Sequence, residues 1–312
     1  MDQIFNYFIM KINRRSFLKT ASFLPLLAVP RSLRSDNPVF DRVDKPKLKL
    51  SLNAYSFNRL LQNGDMDLFQ LLDFCAKHNF DAVDPTGYYF PGYPEVPGDE
   101  YIHRFKRQAF LQGLDISGTG VRNDFTNPDE SKREKDLDLI KKWIVAASKM
   151  GAPLIRLFAG SSLPDGYSQS EVNKWVVDGL TRAADYGKQY GVMIAMQNHS
   201  DFIKTSDHII EIMESANHDW LGLHLDIGSL RQGNPYEEIK KVVPYAITWQ
   251  IKELVYFNEN PRETDLERVF QIAADAGYRG YLPLETLGEG DPYKKVERLI
   301  ARARKALKTV EF

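Results

Sequence analysis

The chain has 312 residues, room for one large domain or two ordinary ones, and its 43% hydrophobic and 27% charged content is that of a globular protein with a buried core. With 41 Lys and Arg against 42 Asp and Glu, the net charge of -1 lacks the basic excess of a general nucleic-acid or anionic-membrane binder. A single cysteine, Cys75, excludes an internal disulfide, a thiolate-rich zinc site and an iron–sulfur cluster.

Residues 1–40 read as an export signal and linker. Asn13-Arg14-Arg15-Ser16-Phe17-Leu18-Lys19 precedes a short apolar run from Thr20 to Pro30, too short to span a bilayer. Paired arginines before such a run resemble a twin-arginine export signal, with Met10-Lys11 offering a short basic lead. The expectation is a soluble periplasmic protein that uses the twin-arginine export machinery and carries no membrane span when mature.

Residues 47–312 alternate short apolar strands with longer amphipathic helices. Strands are expected at Leu48–Phe57, Phe80–Pro85, Leu114–Val121, Pro153–Ala159, Val192–Asn198, Leu221–Ile227, Ala246–Glu253 and Tyr281–Thr286. Val192-Met193-Ile194-Ala195-Met196 is continuously apolar, as a strand covered on both faces must be. Leu68, Leu71, Leu72 and Cys75 form one helical stripe, and Leu137, Ile140, Ile144 and Ala147 another. Helix starts are marked by Asp65 or Asp67, Ser206, Thr264 or Asp265, and Asp291 before Pro292; Gly151, Gly191 and Gly277 mark helix ends. Eight repeats of this kind predict an α/β fold of a single (β/α)8 TIM barrel. An open doubly wound sheet is the alternative, but no Gly-x-Gly-x-x-Gly follows the first strand. The charge runs Asp129–Lys142 and Arg302–Lys308 read as solvated helix faces.

Active sites of such barrels lie at the C-terminal strand ends. The fifth strand ends Gln197-Asn198-His199, the sixth His224-Leu225-Asp226, the seventh Gln250-Ile251-Lys252 and the eighth Leu284-Glu285. Alternation pairs Gln197 with His199, and Gln250 with Lys252, on one side. Asp226 and Glu285 on apolar strands need a compensating partner. Two are open: an internal ion pair with Lys252 or Arg156, or a divalent cation beside a substrate-binding mouth. Arg156, inside Leu154-Ile155-Arg156-Leu157-Phe158, must point into the barrel, to bind a substrate anion or to neutralise Asp226. An aromatic loop, Asp84-Pro85-Thr86-Gly87-Tyr88-Tyr89-Phe90-Pro91-Gly92-Tyr93, follows the second strand and either stacks on sugar rings or packs over the rim; Asp84, Tyr88 and Tyr89 are its candidates. Arg122-Asn123-Asp124 after the third strand is a candidate for holding hydroxyls, and His224 for a supporting role behind the site.

The succession Gln197-Asn198-His199, Leu225-Asp226-Ile227-Gly228, Gln250-Ile251-Lys252-Glu253 and Gly280-Tyr281-Leu282-Pro283-Leu284-Glu285-Thr286-Leu287 resembles the xylose isomerase-like barrels, which include sugar isomerases, sugar-phosphate isomerase/epimerases and dehydratases. The resemblance implies one divalent cation held by a Glu, an Asp, a His and a Glu from the last four strands, with the two glutamates moving a proton next to a carbonyl. Asp226 and Glu285 match that pattern; Gln197 stands in place of the first Glu and Gln250 in place of the His. By resemblance, the cation would be held by Asp226, Glu285, Gln197 and Gln250, and oxygen donors of that kind favour Mg, Mn or Ca over Zn.

A glutamine amide carries no titratable proton near neutrality, so two-base proton transfer through the matched pair is blocked. Glu285, Lys252 and His199 are then the catalytic candidates, a buried lysine having the lowered proton affinity that a base requires. The expected function is a metal-dependent isomerase or epimerase acting on an unphosphorylated carbohydrate. The alternatives are a lyase or dehydratase on a keto-sugar or keto-glycoside, and a carbohydrate-binding barrel without catalysis.

Overall fold

The computed structural model describes Phe40 and residues 45–310. The expected export segment lies outside the described residues. Among them, no helix is long and apolar enough to cross a membrane.

The barrel strands are β1 (Lys47–Asn53), β2 (Ala82–Asp84), β3 (Asp115–Ile116), β4 (Thr119–Gly120), β5 (Leu154–Phe158), β6 (Met193–Gln197), β7 (Leu221–Asp226), β8 (Ala246–Lys252) and β11 (Arg279–Glu285). A hairpin, β9 (Leu254–Phe257) and β10 (Asn260–Glu263), stands apart from them. The helices are α1 (Asn58–Asn63), α2 (Leu68–Lys77), α3 (Asp99–Leu111), α4 (Glu130–Met150), α5 (Gln169–Tyr190), α6 (Ser206–Ala216), α7 (Pro235–Val242), α8 (Leu266–Asp275) and α9 (Pro292–Leu307).

Strand order is β3-β2-β1-β11-β8-β7-β6-β5-β4, with every pairing parallel. The two ends of this sheet, β3 and β4, are consecutive pieces of one strand position, so the sheet comes round on itself as a single TIM barrel. The expected third strand is therefore broken in two. Ser117 turns its hydroxyl to Ser51 Oγ and to the Val83 carbonyl, and a Cβ on Gly118 would lie 2.6 Å from Leu154 Cδ1, so backbone and side chain approach too closely there for a continuous ladder.

Helix punctuation follows the sequence with small shifts. Asp67, Asp265 and Asp291 cap α2, α8 and α9, Asp67 within a capping box with Gln70. Thr205, one residue before the expected Ser206, caps α6, because its hydroxyl accepts from the His208 amide. Gly151 ends α4 in the left-handed conformation at φ 84°. The β9–β10 hairpin is an addition to the expected pattern. Its two-residue turn, Asn258 and Glu259, takes φ of 48° and 66°, and a glutamate at such an angle carries no turn signal in the sequence.

Strand partners in register share a face. The pairs Asn53 with Asp84, Gln197 with His224, Asp226 with Gln250 and Glu285 with Lys252 therefore line one side, the barrel interior. Met196, Leu225, Ile251 and Leu284 alternate with them, are fully buried, and pack in the layer between sheet and helices. Burying each such side chain contributes roughly 1.5–3 kcal/mol. This apolar layer fixes the strand ends and so places the polar ring.

Candidate active site

The inward ring forms one connected network. Arg156 Nη1 donates to Gln197 Oε1 at 2.9 Å and Nη2 to Thr86 Oγ1 at 3.3 Å. Gln197 Nε2 donates to Asp226 Oδ2 at 2.8 Å and to Gln250 Oε1 at 3.1 Å. The guanidinium and the carboxylate fix this amide's orientation, its oxygen to the cation and its NH2 to the anion. His224 Nε2 lies 2.7 Å from Gln250 Oε1, and the Gly228 amide donates to Asp226 Oδ1 at 3.0 Å. Asn198 locks the strand end by exchanging two bonds with the Asp226 backbone. The Lys252 ammonium pairs directly with Glu285 Oε2 and stands 3.5 Å from Asp226 Oδ2.

Burial and charge set the proton affinities. Burial works to raise the Asp226 carboxyl, but the Lys252 and His199 charges and the Gln197 bond outweigh it and hold it below the ordinary range. Burial lowers Lys252, with Asp226 opposing and Arg156 adding to the fall. Burial, helped by the Arg156 charge, pulls His224 down to about 3, so its imidazole is neutral. Asp84 is raised by burial, against Arg156 and the Asn53 bond.

A cavity of about 560 Å³ opens onto this network. Arg156, Gln250, Lys252, Glu285 and His199 line its floor and one side; Tyr55, Tyr88, Arg122, Asn123, Phe158 and Ser161 line the rest. A second cavity of about 330 Å³ lies beside it, walled by Arg231, Leu254 and Tyr256. His199, Asp201, Lys252, Glu285 and Leu287 border both.

Most residues singled out from the sequence meet here. Glu285, Lys252, Asp226, Gln197, Gln250 and Arg156 share the network, and Arg156 is 3% exposed, inside the barrel as expected. His199 stands at the rim, its Nδ1 2.7 Å from Asp201 Oδ2 and its ring edge-on to Phe158. Tyr88 lines the cavity with the Arg122 guanidinium 5.6 Å from its ring centre. Asn123 also lines it, but both ends of its amide bond the Phe158 backbone, so it braces the wall. Asp84 and Tyr89 stand back from the cavity: Asp84 accepts from Asn53 Nδ2, and the Tyr89 hydroxyl donates to Asn58 Oδ1.

Asp136, Ser161 and Asp201 also border the cavity but carry no signal in the sequence, whereas Asp124 belongs to the segment expected to hold hydroxyls. Asp124 accepts from the Ser161 hydroxyl and the Thr126 amide and so ties the β4 loop to the β5 loop. Asp136, within a run expected to be solvated, turns inward and accepts from the Asp124 amide. A charge run hides such a residue because its neighbours on α4 do face water.

The four residues expected to grip a divalent cation do converge, but their oxygens are engaged by protein donors. Gln197 offers NH2 toward the centre, Gln250 Oε1 serves His224 and Gln197, and Lys252 takes both carboxylates. The donor set as arranged does not suit a divalent ion. Among the described residues, no group of three or more His, Cys, Asp or Glu could hold a metal.

The family described as "Xylose isomerase-like TIM barrel" matches residues 72–310. A Xenopus laevis protein named "Putative hydroxypyruvate isomerase" is 26% identical over 162 residues, 47% of this chain; the match spans 59% of the relative's length. Among solved structures, D-psicose 3-epimerase with D-tagatose from Clostridium cellulolyticum H10 superposes with a TM-score of 0.66 at 15% identity, covering 83% of this chain and 97% of the other. A xylose isomerase-like barrel from Mycobacterium smegmatis in complex with magnesium gives a TM-score of 0.61 at 18% identity, covering 83% and 97%. At such identities these two structures establish the fold alone.

Proposed function

The chain belongs to the xylose isomerase-like TIM barrel family, and from that premise we propose that it is a carbohydrate isomerase of the isomerase/epimerase kind, moving a proton on the carbon next to a carbonyl. The carrying observation is the Lys252–Glu285 pair, buried on strand ends yet forming part of the wall of a cavity large enough for a sugar. The isomerase relative and the epimerase that binds D-tagatose support the reaction class and the carbohydrate substrate.

In the proposed reaction, the substrate carbonyl oxygen accepts from the Lys252 ammonium, which draws that cation off Glu285. The freed carboxylate takes the proton from the adjacent carbon, and the C–H electron pair moves toward the carbonyl as its oxygen gains a proton from Lys252. Asp226 keeps the ammonium in place, and Gln197 keeps Asp226 in place. Glu285 then returns the proton to the former carbonyl carbon on the same face while the neighbouring hydroxyl gives its proton back to the Lys252 amine and becomes the new carbonyl, so a one-base 1,2-isomerisation fits this chain. Epimerisation needs a carrier on the opposite face, and Gln197, held between Arg156 and Asp226, is an amide that cannot serve.

One-base chemistry also allows elimination from a keto-sugar or keto-glycoside. The second cavity favours this as a second reading, since a leaving portion could lie there across the Lys252–Glu285 pair. Incubation with ketoses and 3-keto-glycosides in D2O, read by mass and NMR, tests both. Isomerisation gives products of substrate composition with deuterium at the exchanged carbon; elimination gives a product lighter by the departed group. Conversion of none of these compounds overturns the proposal.

We also propose that residues 1–40 direct twin-arginine export to the periplasm. Replacing Arg14 and Arg15 by lysine then retains the protein in the cytoplasm, and unchanged periplasmic fractionation removes the assignment.

A further inference from the structure

We infer that Lys252 is the resident cation of this barrel: its ammonium occupies the place between Asp226 and Glu285 that a divalent ion would need, and the protein works without one. The inference stands on the geometry of the strand ends and holds whichever carbohydrate reaction follows.

Three features make this a built seat. Lys252 and Glu285 are register partners on adjacent strands, so the β8–β11 ladder itself sets ammonium against carboxylate. The stem of the lysine lies against Gly228, where a Cβ would come within 2.7 Å of Lys252 Cγ; any larger residue would push the stem away. The same Gly228 donates its amide to Asp226 Oδ1, so one short segment after β7 both admits the lysine and aims its second carboxylate.

The surrounding amides are turned to suit a bound ammonium. Gln197 presents its NH2 to Asp226 Oδ2, and its oxygen is committed to Arg156. Gln250 gives its oxygen to His224 and Gln197. An incoming divalent ion would have to displace Lys252, rotate Gln197 against the Arg156 guanidinium and release Gln250 from two donors. With Arg156 and Lys252 facing three carboxylates, Asp84, Asp226 and Glu285, the charge is already nearly balanced. An ammonium carries three N–H donors, so while ion-paired to the two carboxylates it can still turn one toward a ligand oxygen in the cavity. A lysine in this position can also hand over a proton, which a metal ion cannot.

The test is Mn2+ uptake by the purified full chain, followed by the electron paramagnetic resonance of free Mn2+ and by the thermal unfolding midpoint with and without Mn2+. The wild type should take up less than about a tenth of an equivalent at ~100 μM Mn2+ with an unmoved midpoint, and Lys252→Met, which frees both carboxylates at similar side-chain volume, should take up about one equivalent and gain thermal stability with Mn2+. Asp226→Asn added to Lys252→Met should abolish that uptake. Wild-type uptake of about one equivalent that Asp226→Asn abolishes overturns the inference. A Lys252→Met protein that is folded by circular dichroism and takes up no Mn2+ also overturns it. Should Lys252→Met not fold, the wild-type measurement decides alone.

Discussion

Two walls of the same cavity are made differently. On one, β8 and β11 deliver Gln250, Lys252 and Glu285, backed by Gln197 and Asp226 from β6 and β7, all on strand ends, buried, and bonded to one another. On the other, the loops after β2, β4 and β5 deliver Tyr88, Arg122, Asn123 and Ser161, with an aromatic face and ties that run largely to backbone. The contrast separates two tasks. Groups that must hold a proton or a charge at a fixed distance sit on hydrogen-bonded strands, whose positions the apolar layer outside the sheet determines. Groups that need only offer surface and hydroxyl partners sit on loops. Arg156 joins the two, reaching Gln197 on the strand side and Thr86 on the loop side.

The largest effect should come from the strand side. Glu285→Gln keeps the shape of the carboxylate and removes its proton affinity, and should lower turnover by about 10³-fold; a variant within tenfold of wild type would take the proton-moving role away from that wall. The bridge comes next. Arg156→Met leaves Asp84 buried without its cation and Gln197 Oε1 without its donor, and should cost about 3 kcal/mol in urea unfolding. A loss below about 1 kcal/mol would show that the two walls are held independently.

On the loop side, Tyr88→Ala should raise KM about tenfold with kcat changed less than about threefold, because it removes ground-state contact without touching the reacting groups. A fall in kcat alone would put Tyr88 with the charged wall and blur the division. The remaining expectation concerns pH dependence. In the unfolded chain an imidazole ionises near 6.5, whereas His224 in the fold is held down to about 3 by burial. Between those values the unfolded chain carries the extra proton, so stability is full above about 6.5 and falls as acid is added, by about 1.4 kcal/mol per pH unit from this group. Urea midpoints from pH 7 to 4 should therefore drop less steeply for His224→Gln than for the wild type. Parallel curves would mean that His224 is not held neutral.

The strand–helix alternation was legible because burial on both faces forces continuous apolar runs, and capping aspartates and terminal glycines mark where each unit starts and stops. Asp226, Lys252 and Glu285 were legible as well, since charge on an apolar strand demands a partner. The β9–β10 hairpin was not, because Asn258 and Glu259 turn it without glycine. Asp136 was not, because one inward residue on α4 is indistinguishable from its solvated neighbours. Tyr89 looked equivalent to Tyr88, yet adjacent residues of a short turn point to different places, one into the cavity and one to Asn58.

By itself the sequence determined the barrel and the identity of the charges at its C-terminal end, because periodicity and the cost of burying charge are local properties of the chain. Which cation answers Asp226 and Glu285 was decided only by tertiary structure. An ion pair with Lys252 and a shared divalent ion require the same residues, and they differ only in where a flexible four-carbon stem places its ammonium. Register between β8 and β11 and the missing side chain of Gly228 settle that distance, and neither can be read from residues 24 and more positions apart.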